Sequence, residues 1–157
     1  MASKPSSGQG ARGEIAAYLR AQAGPLHAAA EAQKRWAPQL QQLFETAKLA
    51  KPDTVAFKAR ALGREYVELY RRHLKEVETL QTPPAALRYQ EYSIRWLKGL
   101  INACEALLHA PEDGRDQTYL RDARDYFDDA RYAVKPMAEI RQRLHELAVG
   151  KPAAKSS

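Results

Sequence analysis

The chain contains a single cysteine, Cys104, among its 157 residues. One thiol cannot form an intrachain disulfide, and no group of cysteines and histidines has the spacing of a structural zinc site. The fold must therefore be stabilised by the burial of apolar side chains, without covalent or metallic cross-links. A chain without disulfides is typical of a reducing compartment, so we expect the protein to lie in the cytoplasm.

Long apolar runs and catalytic signatures are also missing. No segment approaches the ~18 consecutive apolar residues of a membrane-spanning helix, and residues 1–10 lack the apolar region of a signal peptide. We find no paired Glu-x-x-His motifs of a di-iron bundle, no haem-attachment motif and no P-loop. The sequence thus predicts no metal, no cofactor, no membrane span and no enzymatic activity, and it contains no signal that sets an oligomeric state.

Positive charge is in excess, with a formal net charge of +6. Four basic side chains lie near the two ends, so 21 basic residues against 19 acidic ones remain between them: the four are Lys4, Arg12, Lys151 and Lys155. Residues 112–129 even carry seven acidic side chains against three basic ones. Because the body of the chain is nearly balanced, the sequence does not favour nucleic acid as a partner. Weak binding of nucleic acid or of an anionic surface through the basic ends is the second alternative function.

Apolar side chains recur at alternating steps of three and four residues, which predicts amphipathic helices. Short connections rich in Pro, Gly and Asp separate these stretches, so successive helices must lie antiparallel. We therefore predict an all-α fold, an up-down-up-down four-helix bundle over residues 13–149. Residues 1–12 and 150–157 are rich in Ser, Gly, Lys and Pro, and we expect them to be flexible basic tails.

Prolines set the expected helix boundaries. The Gly24-Pro25 pair predicts a break that separates a short extra N-terminal helix from the first long helix, because both residues disfavour a helix interior. Pro38 and Pro136 are expected to kink their helices without ending them. The second helix is predicted at about 51–80, the third at 84–108 and the fourth at 116–148, with Asp116 as its cap.

One candidate site is a polar layer inside the bundle. Counting residues along antiparallel helices brings five polar side chains to about the same height: Gln33, Tyr66, Tyr70, His73 and Gln90. These groups either satisfy one another's hydrogen bonds or line a small-molecule pocket, and the pocket is the first alternative function. The same count places Cys104 about ten residues, or ~15 Å, from His73, which argues against a catalytic pair of thiol and imidazole.

The outer surface holds a second set of candidates, three aromatic residues on the third helix and three aspartates on the fourth. They are Tyr89, Tyr92, Trp96, Asp122, Asp125 and Asp129. Exposed aromatic side chains are common anchors of protein interfaces, and an acidic face can dock a basic partner. Because long helices offer broad faces and no reaction centre is recognised, we predict a non-enzymatic adaptor or scaffold that binds another protein.

Overall fold

The computed structural model describes residues 8–150, and this part of the chain is helical without strands. Four α-helices follow one another, and a 3₁₀ turn at Pro84–Ala86 precedes the third: α1 (Gly8–Ala47), α2 (Pro52–Glu78), α3 (Leu87–Leu108) and α4 (Thr118–Ala148). Each helix packs beside the next one in the chain, and α4 returns to the side of α1. The predicted all-α four-helix bundle is confirmed.

The first helix differs from the expectation, because α1 runs without interruption through Pro25 and Pro38. The short extra N-terminal helix is therefore wrong as a separate element. An interior proline costs ~3 kcal/mol through its missing N–H and its ring. However, α1 buries Leu19, Leu26 and Trp36 on either side of Pro25, and the burial of one leucine contributes about 1.5–3 kcal/mol. Packing on the neighbouring helices thus outweighs the local cost.

The ends of the chain also bear on the predicted boundaries. Because α1 begins at Gly8, residues 8–12 of the expected N-terminal tail are helical. At the other end Gly150 lies in a turn after α4, with a positive φ of 77°. The remaining parts of both expected tails, residues 1–7 and 151–157, lie outside the described residues. The tails themselves therefore stay a prediction.

The residues of the turn between α3 and α4 explain its conformation. Gly114 adopts a φ of 69°, and its amide donates to the Pro111 carbonyl at 3.0 Å. A Cβ at this position would lie 1.9 Å from the Pro52 carbonyl oxygen, so only glycine fits. The Asp116 carboxylate then accepts hydrogen bonds from the Thr118 amide at 3.0 Å and the Thr118 hydroxyl at 2.6 Å. These bonds lower the pKa of Asp116. The predicted cap is nevertheless one residue too early, because Gln117 is the N-cap of α4 and the helix begins at Thr118.

Close packing of small residues joins α3 to α4. A Cβ added to Gly99 would lie 2.7 Å from the Cβ of Ala130 and 3.0 Å from its backbone. On α4, Ala123, Ala130 and Ala133 are fully buried. Since none of these residues has a long side chain, the two backbones approach closely and no space remains between the helices around Gly99 and Ala130.

The opposite side of α4 is open over part of its length. Here α4 faces α1, and the two helices make far less contact than α4 makes with α3. They meet where the ring of Trp36 lies edge to face with that of Phe127 at 5.2 Å and where Arg124 lies over the ring of Phe44. Nearer the start of α1 and the end of α4, their side chains leave a groove between them. This groove is the candidate functional site.

Candidate functional site in the groove between α1 and α4

The groove encloses about 460 Å³ and is largely apolar. One wall is formed by α1, the other by α4, and two aromatic residues of α3 lie beneath them. The lining consists of Leu19, Ala23, Leu26, His27, Ala30, Tyr89, Trp96, Val134, Met137, Ala138 and Arg141. Because α1 contributes residues from 19 to 30, the groove extends over about three helical turns, or ~16 Å.

Helical spacing and small side chains explain why the groove forms. On α1 the lining residues Leu19, Ala23 and Leu26 follow one another at steps of four and three, so they share one face. On α4 Val134 and Ala138 have the same spacing. The two alanines are too short to reach across to the other helix, and they remain exposed together with Val134, which keeps 46% of its surface accessible. The walls are therefore apolar but uncovered.

Tyr89 and Trp96 form the floor of the groove, and they are not the exposed anchors that the sequence predicted. Each retains only 4% of its accessible surface. The Trp96 Nε1 donates a hydrogen bond to the Gln33 Oε1 at 3.0 Å. The ring of Tyr89 meets that of Tyr18 edge to face at 6.4 Å, and burial raises the pKa of Tyr89. The expectation of exposure is wrong because both positions point from α3 towards α1.

A buried polar cluster links α1 to α3 near one end of the groove. The Gln90 Oε1 accepts hydrogen bonds from the Tyr18 hydroxyl and, at 3.1 Å, from the Gln22 amide. The Gln22 Nε2 also donates to the Tyr18 oxygen at 2.7 Å and lies 3.3 Å from the Ser93 hydroxyl. The Gln90 Nε2 donates to the Val77 carbonyl at 2.8 Å, which ties α2 into the same cluster. These hydrogen bonds thus hold α1 against α3, which lies diagonally across the bundle from it.

The five polar residues predicted to share one layer have separate partners. The Tyr66 hydroxyl accepts from the Gln39 Nε2 at 3.1 Å, whereas the His73 Nδ1 lies 2.7 Å from the Glu76 Oε1 on its own helix. Gln90 belongs to the cluster beside the groove. Within the described residues no hydrogen bond joins two of the five, although the rings of Tyr66 and Tyr70 stack at 6.1 Å. The five residues therefore do not satisfy one another's hydrogen bonds. The small-molecule site at His73 stays a prediction.

Tyr70, another member of that predicted layer, lies with Trp36 deep in the core. Their rings meet edge to face at 6.0 Å, and burial raises the pKa of Tyr70. Over residues 8–150, neither the Tyr70 hydroxyl nor the Trp36 Nε1 has a hydrogen-bond partner. Both groups are completely enclosed by the helices, so Tyr70 offers no surface to a ligand.

Cys104 is fully buried, and burial raises the pKa of its thiol to about 12. A thiol in this state is not a nucleophile near neutral pH. Its backbone carbonyl faces Gly63 of α2, where an added Cβ would lie 2.5 Å away. Gly63 precedes His73 by ten residues, which agrees with the predicted separation of ~15 Å along the helix.

The remaining predicted surface residues lie in different environments. Asp129 pairs with Arg95 of α3 at 2.7 Å, and Asp122 lines a separate cleft of about 430 Å³ between α3 and α4. Asp125 is exposed. Tyr92 is half-buried and lies under the guanidinium of Arg88, at 5.8 Å. A role for these residues in protein binding stays a prediction.

Sequence reasoning missed most of the groove. Val134 belongs to an apolar stripe at helical spacing, which predicts a buried position, yet it is 46% exposed. Ala23 and Ala138 carry no signal of their own, because alanine suits any helical position. The available signal was an apolar stripe on the fourth helix that also carried small residues, which indicates a face that the core does not fill completely.

No group of three or more His, Cys, Asp or Glu side chains within residues 8–150 is arranged to hold a metal ion. Likewise, none of the helices described here has the length and apolar character needed to cross a bilayer.

Comparison with known proteins finds no match. This holds for models of protein families, for curated protein sequences and for solved structures. The groove itself is therefore the basis for a proposed function.

Proposed function

We propose that the protein is a non-enzymatic adaptor that binds a helical segment of another protein in the groove between α1 and α4. The observation that carries this proposal is an open apolar groove about three turns long. Its lining is regular, because both walls are helical faces with residues at steps of three and four. A partner helix presents its anchors at the same steps, so the two surfaces can interdigitate.

The shape of the groove supports a helix rather than a small molecule. Pockets for small molecules usually bury most of the ligand and bring a few polar groups to one point. In this groove Ala23, Val134 and Ala138 are exposed along the walls, and the only basic side chains of the lining are His27 and Arg141. The floor supplies Tyr89 and Trp96, whose apolar ring surfaces suit the anchors of a partner.

The proposal includes a reducing location such as the cytoplasm. The support for it is the state of Cys104, a free and fully buried thiol. A cysteine of this kind acts as a small apolar core residue and does not need oxidation for stability.

A photo-crosslinking experiment tests the proposed function. A photoreactive phenylalanine derivative is placed at Ala138 in the groove and, as a matched control, at Tyr132 on the outer face of the same helix, which is 76% exposed. Both proteins are irradiated in lysate of the source cells. We expect a cross-linked partner from position 138 and not from position 132, with the cross-link mapping to an amphipathic helical segment.

Two substitutions that each add a positive charge test whether that cross-link depends on the groove. Val134→Arg places a charge in the groove, whereas Tyr132→Arg adds the same charge outside it. Both sites are exposed, so each variant should keep its stability within about 0.5 kcal/mol. We expect Val134→Arg to abolish the cross-link from position 138 and Tyr132→Arg to leave it unchanged. Cross-links of equal yield from both positions, or no cross-link at all, would contradict the proposal.

A further inference from the structure

We infer that the helix bound in the groove is acidic at its flanks, with Asp or Glu on both sides of its apolar stripe. This inference rests on the proposed function, because it specifies the chemistry of the partner for the same groove.

The lining of the groove contains basic side chains but no acidic ones. His27 stands on the α1 wall and Arg141 on the α4 wall. Arg141 is exposed and makes no ion pair with any side chain of residues 8–150. By contrast, Arg71 and Arg95 of the other helices have carboxylate partners at 2.6 and 2.7 Å. The guanidinium beside the groove is therefore free to meet a carboxylate of a partner.

The charge along α4 changes sign at the groove. Residues 118–130 contain four aspartates against two arginines, whereas residues 131–146 contain four basic residues against two glutamates. Val134, Met137, Ala138 and Arg141, the lining residues of α4, all fall in the basic half. On the facing wall, residues 19–34 contain Arg20 and Lys34 against one acid, Glu31. The Glu31 carboxylate lies 3.3 Å from the Lys34 Nζ and 3.8 Å from the His27 Nε2. A partner with acidic flanks is thus complementary to both walls.

The same charges argue against other occupants. The ends of this chain carry lysines, Lys4 at one end and Lys151 and Lys155 at the other, so they would place like charges beside Arg141. The acidic half of α4 in a second copy has the right sign. However, its apolar residues Leu120 and Ala123 are buried in its own bundle, and it could not present them without unfolding. A separate acidic helix fits without either cost.

Two synthetic peptides provide the test. Both form an amphipathic helix of about 14 residues, or ~20 Å, with leucines at steps of three and four. They differ only in the flanking residues, which are glutamates in one peptide and lysines in the other. Each is titrated against the full chain, with binding followed by fluorescence anisotropy at low and high salt. We expect the glutamate peptide to bind at least about tenfold more tightly at low salt, and this ratio to shrink at high salt.

Two isosteric variants identify the responsible charge. Arg141→Gln removes the free guanidinium in the groove, and Arg143→Gln removes the same charge from an exposed position of α4 that does not line the groove. We expect Arg141→Gln to reduce the preference for the glutamate peptide to less than about threefold. Arg143→Gln should leave the preference unchanged. An equal effect of both variants would show a general response to net charge and overturn the inference.

The outcomes distinguish a failure of the acidic-partner inference from a failure of the proposed function. If the lysine peptide binds as tightly as the glutamate peptide, and Val134→Arg abolishes that binding, the acidic partner is wrong while the groove remains a helix-binding site. If neither peptide binds at a concentration of about 1 mM, which corresponds to a binding free energy weaker than about −4 kcal/mol, the proposed function fails as well. Concentration-dependent dimers in sedimentation that Val134→Arg dissociates would also overturn the inference, since a second copy would then be the occupant.

Discussion

Helix α4 has two neighbours, and its contacts with them differ. Towards α3 the small residues Gly99 and Ala130 stand opposite each other, and the backbones touch. Towards α1 the small residues Ala23 and Ala138 stand opposite an empty space above Tyr89 and Trp96. Alanine therefore has two effects in one bundle. It permits close approach where both helices have small residues, and it leaves a hollow where large residues beneath keep the helices apart.

The two interfaces also differ in what stabilises them. The α3–α4 interface depends on dense packing of apolar atoms, which tolerates no added volume. Helix α1 reaches α3 through hydrogen bonds, from Tyr18 and Gln22 to Gln90 and from Trp96 to Gln33. These buried hydrogen bonds hold α1 in place even though it does not contact α4 along the groove. A binding groove can therefore stay open in the folded protein.

Thiol reactivity should show the largest difference between the two regions. In the variant Ala23→Cys, one thiol lies exposed in the groove, while Cys104 is fully buried with a pKa raised to about 12. We expect the new thiol to react with a disulfide reagent at least ~10³-fold faster than Cys104, because Cys104 needs unfolding to become accessible. The two rates are measured in the same protein by absorbance. Comparable rates would mean that the interior around Cys104 is loosely packed.

Removing the polar link between α1 and α3 should cost most stability. Gln90→Leu puts an apolar side chain of similar size in the place of a polar one. The substitution deprives Tyr18, Gln22 and the Val77 carbonyl of the hydrogen bonds that they make with Gln90. Buried groups that lose a hydrogen bond cost about 1–3 kcal/mol each, with part of this recovered by rearrangement, so we expect a loss of about 3 kcal/mol.

Urea denaturation measures this loss, and Gln142→Leu on the exposed surface of α4 serves as its control. The control should stay within about 0.5 kcal/mol of the wild-type value. A Gln90→Leu protein as stable as the control would mean that apolar packing alone holds α1.

The same glycine-to-alanine change should have opposite signs in two places. At Gly99 the added methyl group meets Ala130 at 2.7 Å and cannot avoid its backbone, so Gly99→Ala should lower the free energy of unfolding by about 1–3 kcal/mol. At Gly13 of α1 an added Cβ meets no atom within 4 Å. Gly13→Ala should raise stability by about 0.5–1 kcal/mol, because alanine is the better helix former. Thermal unfolding of both variants checks the signs, and a stabilised Gly99→Ala protein would refute the close packing of α3 on α4.

The hydrogen bond beneath the groove should have the smallest effect. Gln33→Met keeps the length of the side chain but removes the acceptor of the Trp96 Nε1. We expect a loss of about 1 kcal/mol, the usual contribution of one such bond. Gln42→Met, at an exposed position of the same helix, should change stability by less than half of that amount. If both variants unfold at the same urea concentration, the bond contributes nothing to the attachment of α1.

Helix number, order and most boundaries were predictable because they depend on local signals. The start of α2 at Pro52 and the turn at Gly114 follow from the shapes of proline and glycine. The break at Gly24-Pro25 was wrong because its local cost competes with burial on distant helices, which no local signal reports. The exposure of Tyr89 and Trp96 was wrong for a similar reason: amphipathic periodicity identifies a face but does not say how many neighbours will cover it.

Periodicity and turn residues alone thus determined that this chain forms four antiparallel helices with an apolar interior. Those properties are local, because each depends on residues a few positions apart. Only the tertiary structure decided the groove, since its lining includes residues more than one hundred positions apart, such as Ala23 and Val134. How closely two helices approach is set by the side chains of both and by those beneath them, and this quantity exists only once all three helices are in contact.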